Sequence, residues 1–258
     1  MRLGRSWSDL ELHDVRARVY EKYQISRSDA QLAVDYLTAF LDAKRANPDQ
    51  FLILPQIADW AWHELILDTC KYRVLCSQIF GKFLHHRIEM GANETETKVL
   101  RTTFEQSTEF LSDEYRLGLG DNPGDWLDAG WNRPQYRLRN AVSSSFEKSP
   151  IGSDLSTVPF LSWLPGRLER RFGIDAEKAK QATRKYADHF YAGSLGPYAK
   201  ISSAAQVAWE EHVLWTAPYA DDCARVIGHF IDHAPRAFVA SSSTLKSRRD
   251  FQRFVLQP

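Results

Sequence analysis

The sequence predicts an all-α protein of two tandem helical repeats, related by approximate two-fold symmetry and joined by an irregular central connection. Three observations predict it. Apolar residues recur at helical spacing along most of the chain. The stretch 61–86 recurs without a gap 147 residues later, at 208–233. Gly, Pro, Asn, Asp and Ser crowd the middle, as in Gly120-Asp121-Asn122-Pro123-Gly124 and Ser143-Ser144-Ser145. The boundaries read 1–117 for the first repeat, 118–166 for the connection and 167–258 for the second repeat.

In chain order, Trp7–Tyr23 carries Leu12, Val15, Val19 and Tyr23 at helical spacing. Ser28 suits an N-cap for a second helix with Leu32, Tyr36, Leu37, Phe40 and Leu41 on one stripe. Asn47-Pro48 ends that helix, because a residue before proline is pushed out of the α region. Pro55 can sit in the first turn of the next, where its missing N–H costs nothing. A further helix spans 94–116. The connection carries Trp126, Trp131, Tyr136, Phe160 and Trp163, so it is expected to pack on the core. Helical pattern resumes at Leu168–Phe172, at Asp175–Tyr191 and from about Ser202. The strand signals at Phe51–Leu54 and Ala237–Ala240 are short and isolated.

The repeat matches unusual residue types: Trp62/Trp209, Glu64/Glu211, Thr69/Thr216, Tyr72/Tyr219, Cys76/Cys223, Gly81/Gly228 and His86/His233. Each copy reads as a helix, a Thr69 or Thr216 cap, and a second helix turning Tyr and Cys inward. Gly81 or Gly228 then ends that helix in a left-handed cap, with a histidine just beyond.

Bulk properties exclude several function classes. Lys+Arg and Asp+Glu balance at 33 each, so the basic excess of a nucleic-acid binder is missing. The runs Arg167–Arg171 and Lys246–Arg249 read as solvated faces. Charged residues interrupt the amino-terminal segment before any long apolar stretch, and no run reaches the roughly 20 apolar residues of a membrane span. Cys70, Cys76 and Cys223 form no CxxC pair, which suits a reducing, cytoplasmic setting.

The best candidate site is Trp62-His63-Glu64 with His86, matched by Glu210, Glu211, His212 and His233. Imidazole and carboxylate suit zinc or non-haem iron, so His63, His86, His212, His233, Asp59 and Glu210 are candidate metal ligands. Asp59 lies one helical turn before His63, where it could orient the ring. Glu64 and Glu211 are candidate acid/base carboxylates if symmetry brings them together; otherwise they face solvent. On the other reading, the histidines hydrogen-bond backbone carbonyls at helix ends.

Asp59-x-x-Trp62-His63, followed by Tyr72, Cys76, Gly81 and His86, resembles the glycine-rich domain-containing protein family over about thirty residues in each half. That family's pattern is Asp-x-x-Trp-His-x-His. Here Leu65 replaces the second histidine in the first copy, and Glu210 replaces the first in the second, where His212 survives. The glycine-rich tail of plant members has no counterpart among the 13 dispersed glycines. The resemblance implies no defined activity. Two functions remain open: a metal-dependent enzyme or metal-binding accessory protein acting on a small molecule or peptide, or a non-catalytic helical module that holds a protein or peptide partner.

Overall fold

A computed structural model describes residues 12–86, 94–117 and 159–235. The described residues are all-helical and contain no strand. The first half contains α1 (His13–Tyr23), α2 (Arg27–Ala46), α3 (Gln56–Leu67), α4 (Thr69–Phe80) and α5 (Glu94–Tyr115). The second contains α6 (Leu164–Phe172), α7 (Ala176–Tyr191), α8 (Ser203–Leu214) and α9 (Thr216–Asp222), whose final turn widens into a π-helical turn at Cys223–Ile227. No described helix is long and apolar enough to cross a membrane.

Neighbouring helices pack within each half, with α5 against α2 in the first. In the first, α1, α2 and α3 contact one another, and α4 folds back on α3; in the second, α6, α7 and α8 do so, and α9 folds back on α8. The halves meet where α3 packs on α8. Those two helices are buried nearly all round, as central helices must be: Ala61, Leu65 and Ile66 in α3, and Ala205, Ala208 and Val213 in α8. Alanine on both allows the backbones to approach closely. The α2 stripe predicted from spacing is the core face, with Tyr36, Leu37 and Leu41 fully buried. Each buried leucine of this kind stabilises by about 1.5–3 kcal/mol relative to exposure.

Several local expectations are corrected. Ser26, not Ser28, caps α2: its backbone is extended and its hydroxyl accepts from the Asp29 N–H at 3.0 Å. Pro55 is the N-cap of α3 rather than part of its first turn. Phe51–Leu54 has no regular secondary structure and forms no strand. Residues 118–158 and 237–240 lie outside the described residues, whereas the end of the expected irregular connection is helical, with a 3-10 turn at Pro159–Ser162 running into α6.

The largest correction concerns Thr69 and Thr216. Neither caps its own helix. Asp68 caps α4 through the Lys71 N–H, and α9 has no side-chain cap. Thr69 Oγ1 instead accepts the His233 N–H at 2.8 Å, and Thr216 Oγ1 accepts the His86 N–H at 2.8 Å. Both threonines cross to the other half.

Other features match their expectation. Asn47 terminates α2, and Gly81 and Gly228 end their helices with φ of 68° and 85°. Tyr72, Cys76, Tyr219 and Cys223 are fully buried. In each half an indole–phenol–carbonyl chain holds the hairpin closed. Trp62 Nε1–H donates to Tyr72 Oη at 3.0 Å, which donates to the Leu84 carbonyl at 2.8 Å. Trp209, Tyr219 and Ile231 repeat the chain at 3.0 and 2.8 Å.

Candidate functional site

Helical spacing places Asp59 and His63 on one face of α3, and the chain emerging past Gly81 brings His86 against them. His63 Nε2 lies 3.2 Å from Asp59 Oδ2, and His86 Nε2 lies 3.2 Å from Asp59 Oδ1. The two imidazoles stand edge to face with centroids 4.9 Å apart. One ligand atom from each of the three residues lies within 4.8 Å of the others. His63 and His86 are buried, while the Asp59 side chain is 36% exposed and gives the cluster an edge to solvent.

The hydrogen bonds around His86 fix its tautomer. Its Nδ1 sits 2.8 Å from the Leu214 carbonyl, which can only accept, so Nδ1 carries a proton. In the neutral ring, Nε2 then presents a lone pair to Asp59, itself an acceptor. Two acceptors 3.2 Å apart require a positive charge between them, either a proton or a metal ion. His63 Nε2 is a buried polar atom with no hydrogen bond, because Asp59 Oδ2 is near but badly directed. Burial works to raise the Asp59 carboxyl, but His63, the His86 hydrogen bond and Arg171 outweigh it and hold it well below the usual carboxylate range. Burial, with Arg171, His86 and Arg167 nearby, pushes His63 well below the usual imidazole range despite Asp59. His63 is therefore neutral, and Nε2 becomes a ligand once its proton leaves.

The second half has a different cluster at the matching positions. Gln206, Glu210 and His233 stand where the first half has Asp59, His63 and His86. Gln206 Nε2 donates to Glu210 Oε1 at 3.0 Å and to His233 Nε2 at 2.7 Å. His233 Nδ1–H donates to the Leu67 carbonyl at 2.6 Å. The Gln206 amide bridges this cluster, and Lys22 Nζ lies 3.5 Å from Glu210 Oε2. Thus His86 and His233 do bond backbone carbonyls at helix ends, and His86 additionally faces a carboxylate.

His212 joins neither cluster. Tyr186 Oη lies 2.8 Å from its Nδ1 and Asp222 Oδ2 lies 3.2 Å from its Nε2, inside a shell of Phe160, Trp163 and Tyr219 rings. Among the described residues, Asp59, His63 and His86 form the group with metal-binding geometry; His212, His233 and Glu210 do not extend it.

Glu64 and Glu211 are not solvent-facing. Both are buried among cations. Lys22 Nζ lies 2.8 Å from Glu64 Oε1, and Arg18 Nε 3.6 Å from Oε2. Arg167 Nε donates to Glu211 Oε2 at 2.7 Å, and Arg171 Nη1 lies 3.0 Å from Oε1. Within the Arg167–Arg171 run, Arg167 is thus a buried and Arg171 a partly buried ion-pair partner, while Arg170 keeps the expected exposure. Lys22 also reaches Glu210 at 3.5 Å, and Arg171 donates to His63 Nδ1 at 3.3 Å. Each half therefore sends one cation to the other half's cluster. The signal for these cations was present in the sequence: Arg18 and Lys22 recur as Arg167 and Arg171, both four residues apart. Their offset is 149 rather than 147, so an ungapped comparison passes over them.

Residues 11–112 match a family model described as UCP032817-like, an uncharacterised family. The match spans α1 to α4 and most of α5, and it contains Asp59, His63 and His86. No curated protein and no solved structure matches the chain.

Proposed function

We propose that this chain is a duplicated helical unit whose halves face each other about an approximate two-fold axis, and whose first half binds one divalent transition-metal ion on Asp59, His63 and His86. The observation that carries this reading is the convergence of the His63 and His86 Nε2 atoms on the two oxygens of Asp59, each at 3.2 Å, with His63 Nε2 making no hydrogen bond. Two imidazoles and one carboxylate are a donor set of zinc hydrolases and of non-haem iron oxygenases. Three protein ligands leave a coordination position open, and the exposed edge of Asp59 is where a small molecule or peptide would reach it. A zinc or iron ion held there would acidify bound water or polarise a substrate carbonyl. The reciprocal clasps, Thr69 on His233 and Thr216 on His86, support the two-fold reading. The match of one family model to the first half is also what a duplication would give. The likeness of Asp59-x-x-Trp62-His63 to the glycine-rich domain-containing proteins belongs to the same reading. The free thiols Cys70, Cys76 and Cys223 support a cytoplasmic setting, and the balanced charge supports partners other than nucleic acid.

Elemental analysis of the purified chain tests the proposal. About one equivalent of zinc or iron should co-purify, should vanish in the His63→Ala, His86→Ala double variant and should persist in His233→Ala. Protein that takes up neither ion after incubation with Zn²⁺ or Fe²⁺ would overturn it. One observation favours a second reading. Arg171 donates to His63 Nδ1, so the His63 proton sits on Nε2 until that guanidinium moves. If the charge beside Asp59 is a proton, the histidines are seam clasps and the protein is a non-catalytic helical module for a peptide or protein partner.

A further inference from the structure

Resting on the metal reading, we infer that the second half of the chain is the outer shell of the first half's metal site, with Thr216 the residue that positions His86. His86 lies on the segment that follows α4, beyond the helix-ending Gly81, where a helix no longer holds its backbone. Its fixed points come from the junction of α8 and α9. Leu214 is the last residue of α8 and Thr216 the first of α9, with the Trp215 backbone turned away from helix at φ −89° and ψ 73°. That break frees the Leu214 carbonyl from the helix ladder, and it accepts His86 Nδ1–H at 2.8 Å. Thr216 Oγ1 accepts the His86 N–H at 2.8 Å and donates back to the His86 carbonyl at 3.4 Å. One residue fixes the backbone and its near neighbour fixes the ring. Together they hold the Nδ1–H tautomer and aim Nε2 at Asp59. A hydrogen bond to the remote ring nitrogen is the usual way a protein orients a histidine ligand.

The chain contains its own control. Leu67 and Thr69, at the junction of α3 and α4, hold His233 in the same way, at 2.6 and 2.8 Å. There the aimed Nε2 meets the Gln206 amide at 2.7 Å instead of a carboxylate. The clasp is built twice and serves a metal-binding geometry once. Thr69 carries the structural work of Thr216 without its proposed role in ligation.

The experiment compares Thr216→Val with Thr69→Val in the full chain, titrated with Zn²⁺ and, for a spectroscopic signature, with Co²⁺. Both variants should lower the thermal midpoint to a similar degree. Thr216→Val should weaken Zn²⁺ binding about tenfold or more and alter the Co²⁺ absorption bands, the range typical of lost outer-shell contacts. Thr69→Val should leave both as in the wild type, and Thr216→Ser, which keeps the hydroxyl, should restore them. Equal weakening by both valine variants, or by neither, overturns the inference while leaving the metal site standing. Wild-type protein that binds neither ion overturns the metal reading, and this inference with it. If either valine variant fails to fold, Thr216→Ala and Thr69→Ala provide the same comparison with a smaller side chain.

Discussion

Asp59, His63 and His86 in the first half correspond to Gln206, Glu210 and His233 in the second, and both histidines are held from across the seam by a carbonyl and a threonine. What differs is the group each imidazole faces. Gln206 offers an N–H to His233 Nε2 at 2.7 Å, whereas Asp59 offers a carboxylate oxygen to His86 Nε2 at 3.2 Å. On the proposed metal reading, exchanging an amide nitrogen for a carboxylate oxygen is what lets the first cluster accept a metal ion. The contacts that hold the two histidines and the clusters those histidines face should therefore respond differently to mutation.

The largest effects should fall on the shared scaffold, and they should be equal. Tyr72→Ala and Tyr219→Ala each remove a fully buried ring and orphan an indole N–H, and each should cost roughly 3–5 kcal/mol, read from urea unfolding midpoints. A cost confined to one half would break the comparison.

An intermediate pair should sharpen it. Glu211→Leu strands Arg167 almost without solvent and should cost about 3–5 kcal/mol by chemical denaturation. Glu64→Leu should cost less, because Arg18 and Lys22 are more exposed and Lys22 still reaches Glu210. Equal costs would show that the two ion-pair nests are energetically alike.

The smallest effect is a difference in pH dependence. Burial depresses His212 below its ordinary 6.5 despite Asp222, so the folded state keeps the ring neutral while the unfolded chain takes up a proton. Its contribution is fully present above pH 6.5 and is lost as pH falls through the depressed folded value. His212→Leu, which copies Leu65 of the first half, should make the stability loss between about pH 7 and pH 5 shallower. Depressed His63 and His233 keep some slope in place. An unchanged slope in denaturation series across that range would remove His212 from the account.

The sequence carried the helices, because periodicity and punctuation act locally: the α2 stripe, the stop at Asn47-Pro48 and the left-handed Gly81 and Gly228 need no distant partner. It also carried the metal-binding geometry in part, since Asp59 and His63 lie one turn apart. The rest depended on contacts between residues far apart in sequence. Thr69 looks like a helix cap until His233, 164 residues away, takes its hydroxyl. Arg167 and Arg171 look like a solvated run until α8 lays Glu211 against them. Gln206 matched Asp59 in register, but only the placement of His233 shows that the amide there hydrogen-bonds the ring.

His86 packs edge-on against Trp62 with ring centroids 4.6 Å apart, and His233 meets Trp209 at the same distance. An excited indole passes an electron readily to an electron-poor neighbour, and an imidazole becomes electron-poor when it gains a proton or binds a cation. On the proposed metal reading, Trp62 is therefore placed for its emission to change when an ion binds at His86, and a Trp62→Phe variant should lose that change.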